Sequence, residues 1–222
     1  MQNAHVFTIG HSNHSGDNFF ERLRQHGIAA LVDIRRFPSS RAFPHFNRDE
    51  LSTALQANDI EYRWLQELGG RQPKRKHFDS PNWGLRNDSF RNYADYMLTD
   101  QFRAGMNALS EIARAKRTAI MCAESVFWRC HRRLVSDFVL ASGGTVQHIF
   151  PNGEVKPHTD RRGEDRRWTA DVPRPQDVVR LAALRWCWHW LGVRSDASPH
   201  RSAAAGSSHP LPASGTAGDS RT

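Results

Sequence analysis

Hydrophobic and polar positions along this chain fall into two rhythms. Short apolar runs closed by Gly or by polar clusters read as buried strands, and they cover residues 6–10, 29–34, 62–65, 118–122 and 145–150. Between them apolar residues recur every three or four positions, the period of a helix with one face turned to a core. Phe19, Phe20, Leu23 and then Ile28 predict a helix over about 17–26, which Gly27 ends. Asn47, with Glu50 three residues on, has the pattern of a capping box, and Leu51, Ala54 and Leu55 supply the helix face behind it. Asp88 is placed to cap a helix that uses Phe90, Tyr93, Ala94 and Met97, and Phe102, Met106, Leu109 and Ile112 form the next face. A further helix over 129–140 would bury Leu134, Val135, Phe138 and Val139 before Gly143-Gly144 stops it.

Strands that alternate with helices predict an α/β fold. The expected architecture is a Rossmann-like three-layer α/β/α domain with a mainly parallel sheet of about five strands, followed by a C-terminal helix and a disordered tail. The first two strands and the helix between them form a β-α-β unit, whose crossover makes the strands parallel. The chain divides into an α/β domain over 1–160, a charged linker with a Trp-rich helix over 161–193, and a disordered tail over 194–222. The linker opens with Arg161-Arg162-Gly163-Glu164-Asp165-Arg166-Arg167. The helix, about 176–191, carries Trp186, Trp188 and Trp190 and reads first as packed on the domain, second as a partner-binding element. Ser, Ala, Gly, Pro and His dominate the tail.

Composition narrows the class of partner. The 222 residues carry 31 Lys+Arg against 23 Asp+Glu, a net charge of +8, with Arg far ahead of Lys. That balance favours an anion such as nucleic acid, nucleotide or another phosphorylated small molecule, although solubility alone would also account for it. Three cysteines do not make a disulfide framework, and no stretch approaches a membrane span or an export signal, so a reduced cytoplasmic setting is expected.

In a parallel α/β sheet, sites form beyond the carboxyl ends of the strands. Those ends carry His11 and Ser12, then Asp33 and Arg35, then Cys122 and Glu124, then His148. Each residue also has a plain structural reading: Ser12 as a turn former, Asp33 as the ion-pair partner of Arg35, His148 as a buried histidine, Cys122 as core. Glu124, just past a buried strand, is set up for desolvation, as a general acid or base requires. Cys130 stands near a helix start among Arg129, His131 and Arg132, which would favour either a thiolate nucleophile or an anion site. Cys122, Cys130 and His131 also offer soft metal ligands, with His11 or His148 as completing candidates. The spacing lacks the Cys-x-x-Cys pairs of structural zinc, and no metal is assigned. There is no Walker loop and no Gly-x-Gly-x-x-Gly, so no cofactor is assigned either. The segments Arg35-Arg36-Phe37, Arg41-Ala42-Phe43 and Lys74-Arg75-Lys76-His77 interleave charge with aromatic rings, as single-strand binding requires.

Several of these motifs occur together in order. Thr8-Ile9-Gly10-His11-Ser12, Leu31-Val32-Asp33-Ile34-Arg35 with Pro38 and Arg41, Leu68-Gly69-Gly70, Phe90 to Met97, Met121-Cys122-Ala123-Glu124 with Cys130-His131-Arg132, and His148-Ile149 resemble the family called domain of unknown function 488. The resemblance runs from about residue 5 to 158 and implies a Rossmann-like domain with one shared polar site, without a settled reaction. The expected function is an enzyme acting on a phosphate-bearing substrate, with Glu124, Cys130, His131, Asp33 and His11 as catalytic candidates. Ser12, Arg35, Arg41 and Arg132 are the expected anion holders. The alternatives are a non-catalytic nucleic-acid-binding module and a zinc-binding regulatory protein.

Overall fold

In the computed structural model, which describes residues 1–73, 80–82 and 84–159, six strands form one mixed sheet flanked by five α-helices. The strands are β1 (His5–Gly10), β2 (Ala30–Asp33), β3 (Glu61–Trp64), β4 (Thr118–Cys122), β5 (Thr145–Ile149) and β6 (Val155–Pro157). The helices are α1 (Gly16–Gln25), α2 (Arg48–Gln56), α3 (Asp88–Tyr96), α4 (Asp100–Ala115) and α5 (Arg132–Ala141). The expected Trp-rich helix, the tail and the Lys74-Arg75-Lys76-His77 segment lie outside the described residues.

The sheet order is β3-β2-β4-β1-β5-β6. Five strands are parallel, and β6, which the hydrophobic pattern did not mark, adds an antiparallel edge against β5. The β-α-β unit of β1 and β2 exists, but its strands are not neighbours, because β4 enters between them. In register, Gly10 lies beside Cys122 and Asp33 beside Met121. The loops after β1, β2 and β4 therefore leave the sheet side by side.

Strand residues alternate between two apolar clusters, as the two-residue period of a strand dictates. Phe7, Ile9, Leu31, Ala119 and Met121 pack with Phe19 and Leu23 of α1 and with Leu51 and Leu55 of α2. Val6, Val32 and Ile120 pack with Tyr93 of α3, Phe102, Met106 and Leu109 of α4, and Leu134, Val135 and Phe138 of α5. Burying each of the larger side chains contributes about 1.5–3 kcal/mol, so these clusters hold the sheet and leave its polar ends open for other use.

Three local expectations are corrected. Asn47 precedes α2 but forms no side-chain cap; its Oδ1 accepts from the backbone N–H of Ser40 at 2.7 Å, so it braces the preceding loop instead. Asn87, not Asp88, caps α3 by accepting from the N–H groups of Ser89 and Phe90. The helix expected from residue 129 begins at Arg132, after a separate 3-10 turn at Phe127–Arg129.

A buried polar chain ties β1, β5 and α5 together with the segment just after β6. Thr8 Oγ1 is 2.8 Å from His148 Nδ1, His148 Nε2 is 2.9 Å from His158 Nδ1, and His158 Nε2 is 2.8 Å from Asp137 Oδ1. The Phe127 ring stacks on His148 at 3.5 Å. Burial, the facing His158 and the Arg132 guanidinium lower the His148 pKa to about 3. The folded state thus favours neutral His148, while the unfolded chain takes up the proton near the ordinary value. Stability is full above about pH 6.5 and declines as pH falls toward 3, by up to about 1.4 kcal/mol per unit from this group. Urea midpoints measured from pH 7 to 4 are expected to fall, and His148→Gln is expected to flatten that fall; an unchanged slope in the variant would contradict the assignment.

Candidate functional site

The end of β1 lies against the loop after β4 because residue 10 has no side chain. A Cβ on Gly10 would stand 1.9 Å from the Glu124 carbonyl oxygen and 2.8 Å from Arg132 Nη2. The ladder continues past the strands: His11 N–H donates to the Cys122 carbonyl at 3.0 Å and Ser12 N–H to that of Ala123 at 2.9 Å. Ser12 holds a left-handed φ of 46°, a conformation that costs a non-glycine residue on the order of 1 kcal/mol or more and is concentrated at functional sites.

Beside it, Asp33 is fully buried and saturated with donors. It accepts from the Arg35 N–H, Nε and Nη2 groups at 2.6–3.1 Å and from the Tyr62 hydroxyl at 2.9 Å. Burial opposes the Arg35 charge, but the Asp33 bonds outweigh it and raise the Arg35 pKa. Arg35 Nη2 also donates to the Phe46 carbonyl at 2.7 Å, and Nη1 points at His11 Nε2, 3.3 Å away. A guanidinium can only donate, so Nε2 carries the His11 lone pair and Nδ1–H donates to the Ser12 carbonyl at 2.9 Å. Burial, then the Arg35 charge, lowers the His11 pKa to about 4, which keeps this imidazole neutral. Asp33 therefore positions Arg35, and Arg35 orients His11.

Across from them, Cys122, Cys130 and His131 converge. Their sulfurs and a ring nitrogen lie within 4.8 Å of one another, with His131 Nδ1 3.7 Å from Cys122 Sγ and 3.5 Å from Cys130 Sγ. His131 Nε2 is 3.1 Å from the Ile34 carbonyl. The Gly70 backbone runs flat against this imidazole, since a Cβ there would be 2.3 Å from Nδ1. Burial opposes ionisation of Cys130, but the Cys122 hydrogen bond and the His131 and Arg132 charges hold its thiol well below the ordinary value. The hydrogen bond to Cys130, then burial, push Cys122 well above its own.

His11, Arg35, Gly70, Cys122, Cys130 and His131 line one cleft of about 1080 Å³, while Asp33, expected to be catalytic, lies outside its lining and serves to hold Arg35. It takes in His11, Ser12, Arg35, Cys122, Glu124, Cys130 and His131 from the candidates named by the sequence. Arg132 and Arg41 stand outside the lining, and Glu124 differs in its burial. Arg132 is buried and outside the lining, its Nη2 donating to the Glu124 and Ser125 carbonyls, so it shapes the loop instead of meeting a ligand. Arg41 is exposed and outside the lining. Glu124 lines the cleft, but its side chain is exposed on the rim, not desolvated behind the strand. His148 belongs to the buried chain described above. The cleft's cations are instead Arg35, Arg36, Arg71 and Arg129, accompanied by Phe37, Phe43, Phe90 and Tyr93. Arg36 lies in the charge–aromatic segment Arg35-Arg36-Phe37 and Arg129 among the charges beside Cys130 that the sequence marks; Arg71 is missed, and its place beside Leu68-Gly69-Gly70 is the signal that could have marked it.

The family model described as Domain of unknown function DUF488 matches residues 15–139, more than half of the chain. The chain belongs to this family. None of the curated proteins and none of the solved structures matches it. The DUF488 match includes Asp33, Arg35, Gly70, Cys122, Glu124, Cys130 and His131, and starts beyond His11 and Ser12. The latter two join the site through the parallel pairing of β1 with β4. No helix among the described residues is long and apolar enough to cross a membrane.

Proposed function

We propose that this DUF488 protein is an enzyme acting on a phosphate-bearing substrate, nucleic acid or nucleotide, at the cleft beyond the strand ends of a Rossmann-like three-layer domain. The observation that carries it is the cleft lining, which among the described residues holds Arg35, Arg36, Arg71 and Arg129 and a single carboxylate, Glu124. Arginine suits this task because its planar fork meets phosphate oxygens in pairs. Phe37 is 60% exposed beside them, and aromatic rings interleaved with arginines favour a ligand that carries bases as well as phosphates. Arg35, pre-set by Asp33, keeps one Nη1 N–H for the anion and offers it without reorganisation, an advantage in charge stabilisation. The reacting group sits near Cys122, Cys130 and His131, and Glu124 on the rim exchanges protons with it.

The test is equilibrium binding of a fluorescein-labelled single-stranded oligonucleotide at increasing salt. Affinity is expected to fall with salt, and Arg36→Ala/Arg129→Ala to reduce the logarithmic slope by about 0.7 for each phosphate that is no longer neutralised. Arg41→Ala is expected to leave binding unchanged. Glu124→Gln should bind but lose turnover in a substrate screen, which separates an enzyme from a binding module. Salt-independent binding, or wild-type binding by the double variant, would refute the proposal.

A further inference from the structure

We infer that Cys122, Cys130 and His131 form a binding site for one divalent ion of the zinc class, with its fourth position open to the cleft. Zinc–sulfur and zinc–nitrogen bonds of about 2.3 and 2.0–2.1 Å at the tetrahedral angle place sulfur and nitrogen about 3.6 Å apart. The two sulfur–nitrogen distances are 3.7 and 3.5 Å.

The hydrogen bonding points the same way. The Ile34 carbonyl can only accept, so His131 Nε2 carries a proton, and in the neutral ring Nδ1 turns its lone pair toward the sulfurs. Two sulfurs and one ring nitrogen face one another at these distances, and a single metal ion meets all three atoms at once. A carbonyl behind the far nitrogen is the usual support of a metal-bound histidine. The Arg132 backbone N–H donates to Cys130 Sγ at 3.4 Å, the kind of support that a metal-bound sulfur uses.

The site takes three ligands from this part of the chain. His11 lines the same cleft, but its lone pair faces Arg35, so it does not complete the set. Among the described residues no further His, Cys, Asp or Glu joins the cluster. Three protein ligands with one open position is the pattern of zinc sites that act on substrates, in contrast to closed four-ligand structural sites. Placing a substrate oxygen at the open position rests on the anion-binding proposal; the metal site itself does not.

The experiment uses the full chain, purified under a phosphine reductant, with elemental analysis and a Co(II) titration. The wild type is expected to retain about one equivalent of zinc, and Co(II) to give sulfur-to-metal charge-transfer absorption with the visible bands of a tetrahedral ion. Cys122→Ser, Cys130→Ser and His131→Gln should each lose the metal or its charge-transfer intensity while retaining a cooperative thermal transition. Arg36→Ala/Arg129→Ala should keep the metal and lose oligonucleotide affinity, so the two proposals fail separately. Absence of any charge-transfer band in the wild type would overturn the site. A band that survives in Cys122→Ser/Cys130→Ser would overturn it as well, by moving the sulfur ligand to Cys187.

Discussion

Asp33→Ala is expected to destabilise the fold by about 3–5 kcal/mol, because it leaves the Arg35 guanidinium buried without its counter-charge. Asp33 and Arg35 are 0% and 6% exposed, so water cannot take over the lost bonds. Four donor groups lose their acceptor at once, including the Tyr62 hydroxyl and the Arg35 backbone N–H. Arg35→Met in the Asp33→Ala background is expected to restore a large part of the loss, since no charge is then left unpaired. Urea denaturation of the two single variants and the double variant measures the coupling. A loss under about 1 kcal/mol for Asp33→Ala would show that the pair is not the anchor of the site. The same substitution should abolish oligonucleotide binding, because Arg35 and His11 lose the orientation that Asp33 imposes.

Gly70→Ala is expected to disable the cleft with much less effect on the fold. The added methyl group would lie 2.3 Å from His131 Nδ1 and 2.4 Å from its Cγ, closer than any packed atom can remain. The imidazole must swing away, which breaks its bond to the Ile34 carbonyl and its approach to both sulfurs. Losing such support typically lowers metal affinity about 10–100-fold, and Co(II) titration of the variant should show a loss of that size. Oligonucleotide affinity, carried mainly by Arg35, Arg36 and Arg129 on other segments, should change less than metal affinity. Wild-type Co(II) affinity in Gly70→Ala would place the imidazole outside the metal site.

Much of the fold is legible in the chain itself. The apolar runs locate five strands to within a residue or two; β1, β2 and β4 are buried and leave near-continuous hydrophobic runs, while β3 and β5 show through Tyr62, Trp64, Val146 and Ile149. β6 escapes that pattern because Val155-Lys156-Pro157 is short, half polar and confined to an edge. The order of strands is not readable from periodicity, which describes each element alone. It is the insertion of β4 between β1 and β2 that brings Cys122 and Glu124 beside His11 and Arg35.

The site residues divide along the same physical line. Strand-end position points to His11, Ser12, Asp33, Arg35, Cys122, Glu124 and His148; all but Asp33 and His148 line one cleft, joined by Cys130 and His131 from the start of the following helix. Position alone does not tell a ligand-facing arginine from a structural one, because Arg132 and Arg129 look alike in sequence. Arg132 lies on the first turn of α5 and is pulled inward to two carbonyls, while Arg129 ends the preceding 3-10 turn and faces the cleft. Cys122, read from its strand as core, is both core and cleft wall, since the last residue of a strand has neighbours on one side only.

The central claim is that arginines and the Cys–His cluster serve a single ligand. It is tested most directly by following the imidazole nitrogen resonances of the full chain during titration with a single-stranded oligonucleotide at low salt. The His11 and His131 resonances are expected to shift together and saturably, reversed by salt, while those of His148 and His158, buried beyond the cleft, stay in place. Binding that leaves His11 and His131 unmoved, or that shifts the His148–His158 pair equally, would contradict the account.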